Sequence, residues 1–311
     1  MRECSLRVLR YHQRMDTITY LEASPAHLAA LERVEILYTD LDGTLLGPGG
    51  TLLVDGDGAP ADTAATAVVD VNRAGLPVII VSGRSRLQLV ELARVCGWND
   101  FIAEAGAVLS HWTGTSRELV FDTPEWPEGL PARGRTVFEE IVAAGAYEAL
   151  VEAFPGRLEY HDPWHLHRDA THVLRGCVDM EAAQRVLDGL DLPCGFIDNG
   201  LVRRKEHGLT CGDAPLHAYH IVPKGASKRR AIELDLARRG LVAEQAAIIG
   251  DSPADLASAP SVGLAVLVEN ALELPGLSER LATTTNAAVV RGKRGDGWAA
   301  FARLWLAARC L

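Results

Sequence analysis

Nowhere in the 311 residues do apolar side chains run together for the roughly 18 positions that a membrane-spanning helix needs. Residues 1–15 include basic side chains, but the apolar stretch of a secretory signal does not follow them. No CxxC pair or framework spacing links the 6 cysteines, Cys4, Cys96, Cys177, Cys194, Cys211 and Cys310. They read as reduced thiols, so a zinc site and a disulfide scaffold are both disfavoured. Excess positive charge is missing too: the formal net charge is -10 and the pI is near 5.5. A chain that coats nucleic acid relies on Lys and Arg to neutralise phosphates, so the charge argues against that class. These absences together predict a cytoplasmic protein with no membrane and no nucleic-acid partner.

Hydrophobic residues make up 48% and charged residues 23%, an ordinary balance for a globular chain with a sizeable core. The length fits two domains better than one. Residues 34–39 are a short apolar run that delivers Asp40 at its end, as a buried parallel strand does. Residues 47–62 are loop-like, with a brief strand at 52–54, and read as a mobile flap. Asp55 and Asp57 within it lack the spacing and terminal Glu of a calcium-binding EF-hand loop. A helix capped by Asp62 runs to Arg73 and closes at Gly75. Residues 76–81 form a second buried strand, 84–96 a helix and 101–103 a third strand. No GxGxxG follows the first strand, which removes a dinucleotide-binding reading.

The alternation of strand and helix predicts an α/β fold with a doubly wound parallel sheet, whose ligands sit at the carboxyl ends of the strands. Between residues 108 and 221 this rhythm fades into hairpins and helices, with a strand at 171–178, a helix at 181–190 and strands at 195–197 and 216–222. It returns with a helix at 228–240 and strands at 246–249 and 263–268. The division is therefore a core of 34–107 and 222–311, an inserted domain of 108–221, and an N-terminal extension of 1–33 to which no role is assigned.

Asp40-Leu41-Asp42-Gly43-Thr44-Leu45 places two carboxylates two apart directly after a buried strand. As the chain turns, both can face one crevice. Asp40 there can attack phosphorus and form an aspartyl-phosphate, while Asp42 protonates the leaving oxygen and then activates water. The bland alternative is a simple acidic turn. Three further motifs follow in order: Ser82-Gly83-Arg84, Pro223-Lys224-Gly225-Ala226-Ser227-Lys228 and Gly250-Asp251-Ser252-Pro253-Ala254-Asp255. Separately they have bland readings as a helix N-cap, surface lysines and another acidic turn.

In this order the four motifs resemble the signatures of the haloacid dehalogenase-like hydrolases. The resemblance implies a Rossmann-like core and a Mg²⁺-dependent phosphatase acting on a small phosphorylated molecule. It gives Asp40 and Asp42 the catalytic roles, Ser82 the phosphoryl group, and Lys228, in preference to Lys224, the charge-neutralising role. It implies a metal site of Asp40, Asp42 through its backbone carbonyl, Asp251 and Asp255, with Asp251 the more direct ligand. Thr44, Gly83, Arg84, Lys224, Arg203 and Arg204 are the expected substrate contacts. An insert between Ser82 and Lys228 resembles the α/β type IIB cap, which shuts out macromolecular substrates. Within that group, Gly250-Asp251-Ser252-Pro253 and Gly295-Asp296-Gly297-Trp298 are similar to the mannosyl-3-phosphoglycerate and sucrose-phosphate phosphatases, which points to a sugar or glycoside phosphate. Ala254 and Ala105 stand where relatives often carry Asn.

The insert also holds Arg157, Arg168, Arg175 and Arg203-Arg204-Lys205, which are either contacts to a second substrate group or a solvated face. Trp126 and Trp164 read as sugar-stacking or core residues. His161, His165, His167 and His172 are weak metal candidates, since Pro163 keeps the first two off a shared helix face. Rival functions are a phosphomutase, which keeps the aspartyl-phosphate but passes the group to another hydroxyl, and a non-catalytic phospho-ligand sensor. Intact Asp40 and Asp42 disfavour the sensor, and an acid at Asp42 disfavours halide chemistry.

Overall fold

The computed structural model describes residues 18–202 and 208–309. Its chain order is α1 (Pro25–Leu31), β1 (Ile36–Thr39), α2 (Thr63–Arg73), β2 (Val78–Val81), α3 (Arg86–Cys96), β3 (Phe101–Ala103), β4 (Val108–Trp112) and β5 (Arg117–Phe121). There follow α4 (Val137–Ala143), α5 (Ala146–Ala153), β6 (Leu158–Tyr160), β7 (His172–Gly176), α6 (Met180–Leu187), β8 (Cys194–Leu201) and β9 (His217–Pro223). The last elements are α7 (Lys228–Arg239), β10 (Ala246–Gly250), α8 (Pro253–Leu256), β11 (Leu264–Val268), α9 (Leu277–Ala282), β12 (Ala287–Val290) and α10 (Arg294–Ala308). An eight-stranded sheet has the order β12-β11-β10-β1-β2-β3-β4-β5, and a four-stranded sheet the order β6-β7-β9-β8. This is the α/β class expected. No helix among the described residues is long and apolar enough to cross a membrane.

Two compact units divide the chain: one holds the described residues up to Ile80, Cys96–Trp98 and those from Ile232, the other Val81–Val95 and Asn99–Ala231. In the first, β12, β11, β10, β1 and β2 pair in parallel. Their residues are buried throughout, which is why each reads as a continuous apolar run in the sequence. Helix α2 buries Ala64, Ala67, Val68 and Val71, one face at helical spacing, and Gly75 in the left-handed region closes it. Asp62 makes no side-chain capping bond, contrary to expectation. Helix α10 inserts Trp298, Phe301 and Trp305, all fully buried, and the Trp305 indole donates to the Val34 carbonyl at 3.0 Å. The loop 47–62 contains the isolated bridges Gly47–Thr51 and Val54–Pro60 in place of a strand at 52–54. The Gly56 amide donates to Asp296 at 2.8 Å, so the loop is tied to α10.

In the second unit, β3, β4 and β5 form an antiparallel meander within the eight-stranded sheet. The hairpin 108–121 thus pairs with that sheet, whereas the sequence division puts it in the insert. Tight turns after β3 and β4 hid this, because a hairpin extending one sheet and a hairpin starting another have the same local pattern. The four-stranded sheet is antiparallel throughout. Helix α4 opens on a capping box between Thr136 and Glu139, and α6 on Asp179, which accepts from the Ala182 amide at 2.8 Å. Helix α6 ends at Leu187, three residues earlier than the sequence pattern implies.

Cys177 and Cys211 form a disulfide, which corrects the expectation of reduced thiols and removes one support for a cytoplasmic location. Cys96 and Cys194 are buried free thiols. The bridge sits in a small apolar cluster with Leu216, Val202 and Leu209. Spacing could not reveal it, because 34 positions separate the two residues, and both are held on the turn before β6, the Cys177 amide donating to the Arg157 carbonyl at 3.1 Å and the Thr210 amide to the Gly156 carbonyl at 2.7 Å. By chain entropy, closing a loop of that length stabilises the fold by about 4 kcal/mol. The Cys177→Ala/Cys211→Ala protein should lose about that much in denaturant unfolding of the oxidised protein. Failure to recover a linked 177–211 peptide from an unreduced digest would remove the premise.

Candidate active site

Strands β1 and β10 run parallel with Thr39 level with Ile249, so the residues that follow, Asp40 and Asp251, leave neighbouring strand ends. The Asp40 amide donates to the Ile249 carbonyl at 2.9 Å, which fixes the backbone at that point. From α10 the Trp298 indole donates to the Thr39 hydroxyl at 3.0 Å, and that hydroxyl donates to the Asp40 carbonyl at 2.8 Å. A fully buried tryptophan thereby orients the strand end. The Thr44 hydroxyl donates to Asp40 Oδ2 at 3.3 Å, placing Thr44 on the nucleophile candidate itself.

Asp40, Asp251 and Asp255 each offer an oxygen, and these atoms lie within 4.8 Å of one another. Asp40 and Asp255 are buried and Asp251 is half-buried. Asp255 Oδ2 accepts from the Asp251 amide, the Ser252 amide and the Ser252 hydroxyl, at 3.2, 3.0 and 2.6 Å. This capping box of the short helix α8 holds the carboxylate against the strand end, so the same residue terminates β10 and joins the acid group. Asp42 is exposed, and its carboxylate is outside the cluster. Gly43 has φ +87°, and a side chain there would run into the Asp251 carboxylate. Only glycine permits both the turn and the close approach.

The donor set is three carboxylate oxygens with no sulfur or imidazole, and it fits a hard divalent cation that keeps part of its water shell. Three carboxylates so close repel one another unless a cation or protons neutralise them. No other group of this kind occurs among the described residues, so the histidines of the insert form no metal cluster. His172 is buried, stacks on Phe138 and bonds the Phe138 carbonyl at 3.1 Å. Burial pushes its pKa down to about 4, so it stays neutral. His165 stacks on Tyr160.

One residue beside the acids escaped the sequence reading. Asn270, just after β11, donates from Nδ2 to the Gly43 carbonyl at 3.0 Å and to Asp251 Oδ2 at 3.2 Å. Its Oδ1 accepts from the Arg294 amide at 2.8 Å, which fixes the amide's orientation. The amide next to Asp251 is supplied by Asn270, while Ala254 is exposed on its helix. An Asn after an apolar strand was the available signal, although many turns share it.

Ser82, Gly83, Arg84 and Lys228 belong to the second unit. Ser82 follows β2 and is buried. The cap of α3 is Ser85, which pairs with Gln88 through bonds of 3.0 and 3.5 Å between amides and side-chain oxygens. That removes the helix-cap explanation of Ser82, whose Oγ instead accepts from the Arg84 amide at 3.3 Å. Ser227 caps α7, accepting from the Arg230 amide at 3.2 Å, and leaves Lys228 at the first helical position. A buried cation at the positive end of a helix is unfavourable for stability, so its place there calls for a negative partner. Gly106 at φ +106° abuts the Ser227–Lys228 peptide, where a side chain would overlap it.

Other candidates are engaged elsewhere. Lys224 is partly exposed and pairs with Asp188 at 2.7 Å. Arg157 bonds the Cys177 carbonyl at 2.6 Å, and Arg175 pairs with Glu159 at 2.5 Å. Trp126 is buried and donates to the Pro193 carbonyl at 2.7 Å, a core role, whereas Trp164 is half exposed. Arg203, Arg204 and Lys205 lie outside the described residues.

A search against protein-family models gave no match. The chain is 28% identical over 239 residues to a phosphoglycolate phosphatase of Methanothrix thermoacetophila, covering 76% of this chain and 85% of that protein. Among solved structures, a haloacid dehalogenase-like hydrolase from Bacteroides thetaiotaomicron superposes with a TM-score of 0.54 at 14% identity, covering 87% of this chain and 98% of the other. Another haloacid dehalogenase-like hydrolase, from B. subtilis, gives a TM-score of 0.54 at 15% identity, with 87% and 99% covered.

Proposed function

We propose that this chain, a member of the haloacid dehalogenase-like superfamily of the type IIB group, is a Mg²⁺-dependent phosphatase that hydrolyses a small phosphorylated metabolite through an aspartyl-phosphate. The observation that carries the reading is the pairing of β1 with β10, which sets a buried Asp40 beside Asp251 and Asp255. A sugar or glycoside phosphate is the first substrate class. The phosphoglycolate phosphatase among its relatives gives a small phosphorylated acid as the second.

An Asp40 carboxylate oxygen attacks phosphorus, and the bond from phosphorus to the leaving oxygen breaks. Asp42 gives its proton to that oxygen, so the product leaves as an alcohol. The Asp42 carboxylate then takes a proton from a water whose oxygen attacks the aspartyl-phosphate. The phosphorus bond to Asp40 breaks, and inorganic phosphate and the free carboxylate are restored. Asp40, Asp251, Asp255 and the Asp42 carbonyl would hold Mg²⁺, which when bound supplies positive charge to the phosphoryl oxygens. Ser82, Thr44 and the Gly83 and Arg84 backbone bind the phosphoryl group in this reading. Lys228 balances the charge of Asp40 and phosphate. The insert, with a proposed start after the β4–β5 hairpin, selects the leaving group.

A panel of phosphorylated metabolites that includes sugar phosphates and phosphoglycolate, assayed with Mg²⁺ and with chelator, tests the reading. Metal-dependent release of inorganic phosphate is expected. Isomerised sugar phosphate without free phosphate would replace hydrolysis by mutase chemistry. Tight binding without turnover of any substrate would mean a sensor.

A further inference from the structure

Arg168 carries a guanidinium only 2% exposed, in a strap of the insert between β6 and β7. Burying an arginine costs several kcal/mol unless its donors are satisfied. Burial also lowers its pKa, against the nearby Glu104 carboxylate, which raises it. Its Nε donates to the Thr171 hydroxyl at 3.0 Å, and Nη1 to the Trp164 carbonyl at 3.1 Å. Nη2 leaves the strap and donates to the carbonyl of Gly83.

The strap is held from the other side as well. Glu104, fully buried at the end of β3, accepts from the amides of Asp169, Ala170 and Thr171 at 2.9, 3.1 and 2.8 Å, and from the Thr171 hydroxyl at 2.9 Å. Its φ is +54° and that of Ala105 is +58°, and a left-handed backbone costs a non-glycine residue roughly 1–2 kcal/mol. Four hydrogen bonds to a buried carboxylate offset that strain. Arg86 clamps Asp169 through two bonds of 2.7 and 3.2 Å. All these residues belong to one compact unit.

The Gly83 carbonyl and the Arg84 amide are two ends of one peptide group. Its carbonyl accepts from Arg168, and its N–H donates to Ser82 Oγ at 3.3 Å. A cation on the carbonyl polarises the peptide, strengthens the donation at the other end and fixes the plane's rotation. We propose that Arg168 is a positioning residue that acts through the Gly83–Arg84 peptide to set the Ser82 hydroxyl for the phosphoryl group. This rests on the proposed phosphatase reading, in which Ser82 binds phosphate.

Arg168→Lys, Arg168→Met and Thr171→Val test it, by steady-state kinetics on the best panel substrate and by the affinity for inorganic phosphate with Mg²⁺. Thr171→Val removes the acceptor of Nε and one donor to Glu104 but keeps the arginine's bond to Gly83, the contact on which the proposal rests. The arginine variants should lose about tenfold or more in kcat, with a smaller change in KM, and weaken phosphate binding by about tenfold. Thr171→Val should lower Tm while kcat and phosphate affinity stay within about twofold. Folded arginine variants with wild-type kcat and phosphate affinity overturn the proposal and leave the phosphatase reading intact, as does a Thr171→Val variant equally impaired. Should Arg168→Met fail to fold, Arg168→Lys and Thr171→Val decide. A wild type that binds phosphate without turnover leaves the matter to the affinities, and one that does neither sinks both readings.

Discussion

Asp40→Asn is expected to lower phosphate release by at least about a thousandfold in kcat, close to 4 kcal/mol of transition-state stabilisation. Asparagine has nearly the same shape and keeps an oxygen for the Thr44 hydroxyl, so the strand end, fixed by the Ile249 carbonyl and the Thr39 relay, should hold its geometry. What the variant loses is a charged nucleophile that can form a bond to phosphorus. It also loses one of three anionic oxygens in the acid cluster. Circular dichroism should be unchanged, and no phosphoenzyme should be trapped by acid quench of the variant. A variant with a tenth of wild-type activity would mean that water attacks phosphorus directly and that Asp40 only organises the site.

Asp251→Ala separates the metal from the nucleophile. Removing one of three carboxylates whose oxygens lie within 4.8 Å relieves mutual repulsion. The metal-free variant should therefore melt close to the wild-type temperature, relief of repulsion opposing loss of the Asn270 bond. Mg²⁺ should raise the wild-type Tm, since a ligand that binds only the folded state stabilises it. It should leave the variant's Tm nearly unmoved, and half-maximal activation should need about a hundredfold more Mg²⁺. An equal Tm increase by Mg²⁺ in both proteins would take Asp251 out of the metal site. Asn270 bonds both Gly43 and Asp251, so some loosening of the turn at Gly43 is part of the expected effect.

Residues buried on both faces of a parallel sheet wrote themselves into the sequence. The apolar runs of β1, β2, β10 and β11, and the acid following β1 and β10, are local patterns that a single chain displays. The hairpin 108–121 was legible as strands but not as members of the eight-stranded sheet, because pairing partners are not written in a strand. Cys177 and Cys211 are illegible for a similar reason, as both are brought together on the turn at Gly156 and Arg157. Local sequence leaves Ser82 open to a helix-cap role, which the capping bonds of Ser85 exclude.

By itself the sequence determined the class of fold and marked Asp40, Asp251 and Asp255, the acids that the structure clusters, since their places after apolar runs are properties of residues and spacing. Tertiary structure alone decided which distant side chains meet within each compact unit. The Asn270 amide reaches Asp251 from the end of another strand, Trp298 reaches Thr39 from the final helix, and Arg168 reaches Gly83 from 85 positions away. It also decided that Lys224, Arg157 and Arg175 are held by Asp188, a backbone carbonyl and Glu159. The physical reason is that a side chain's charge and shape are local, while its partner is set by the packing of elements far apart in the chain.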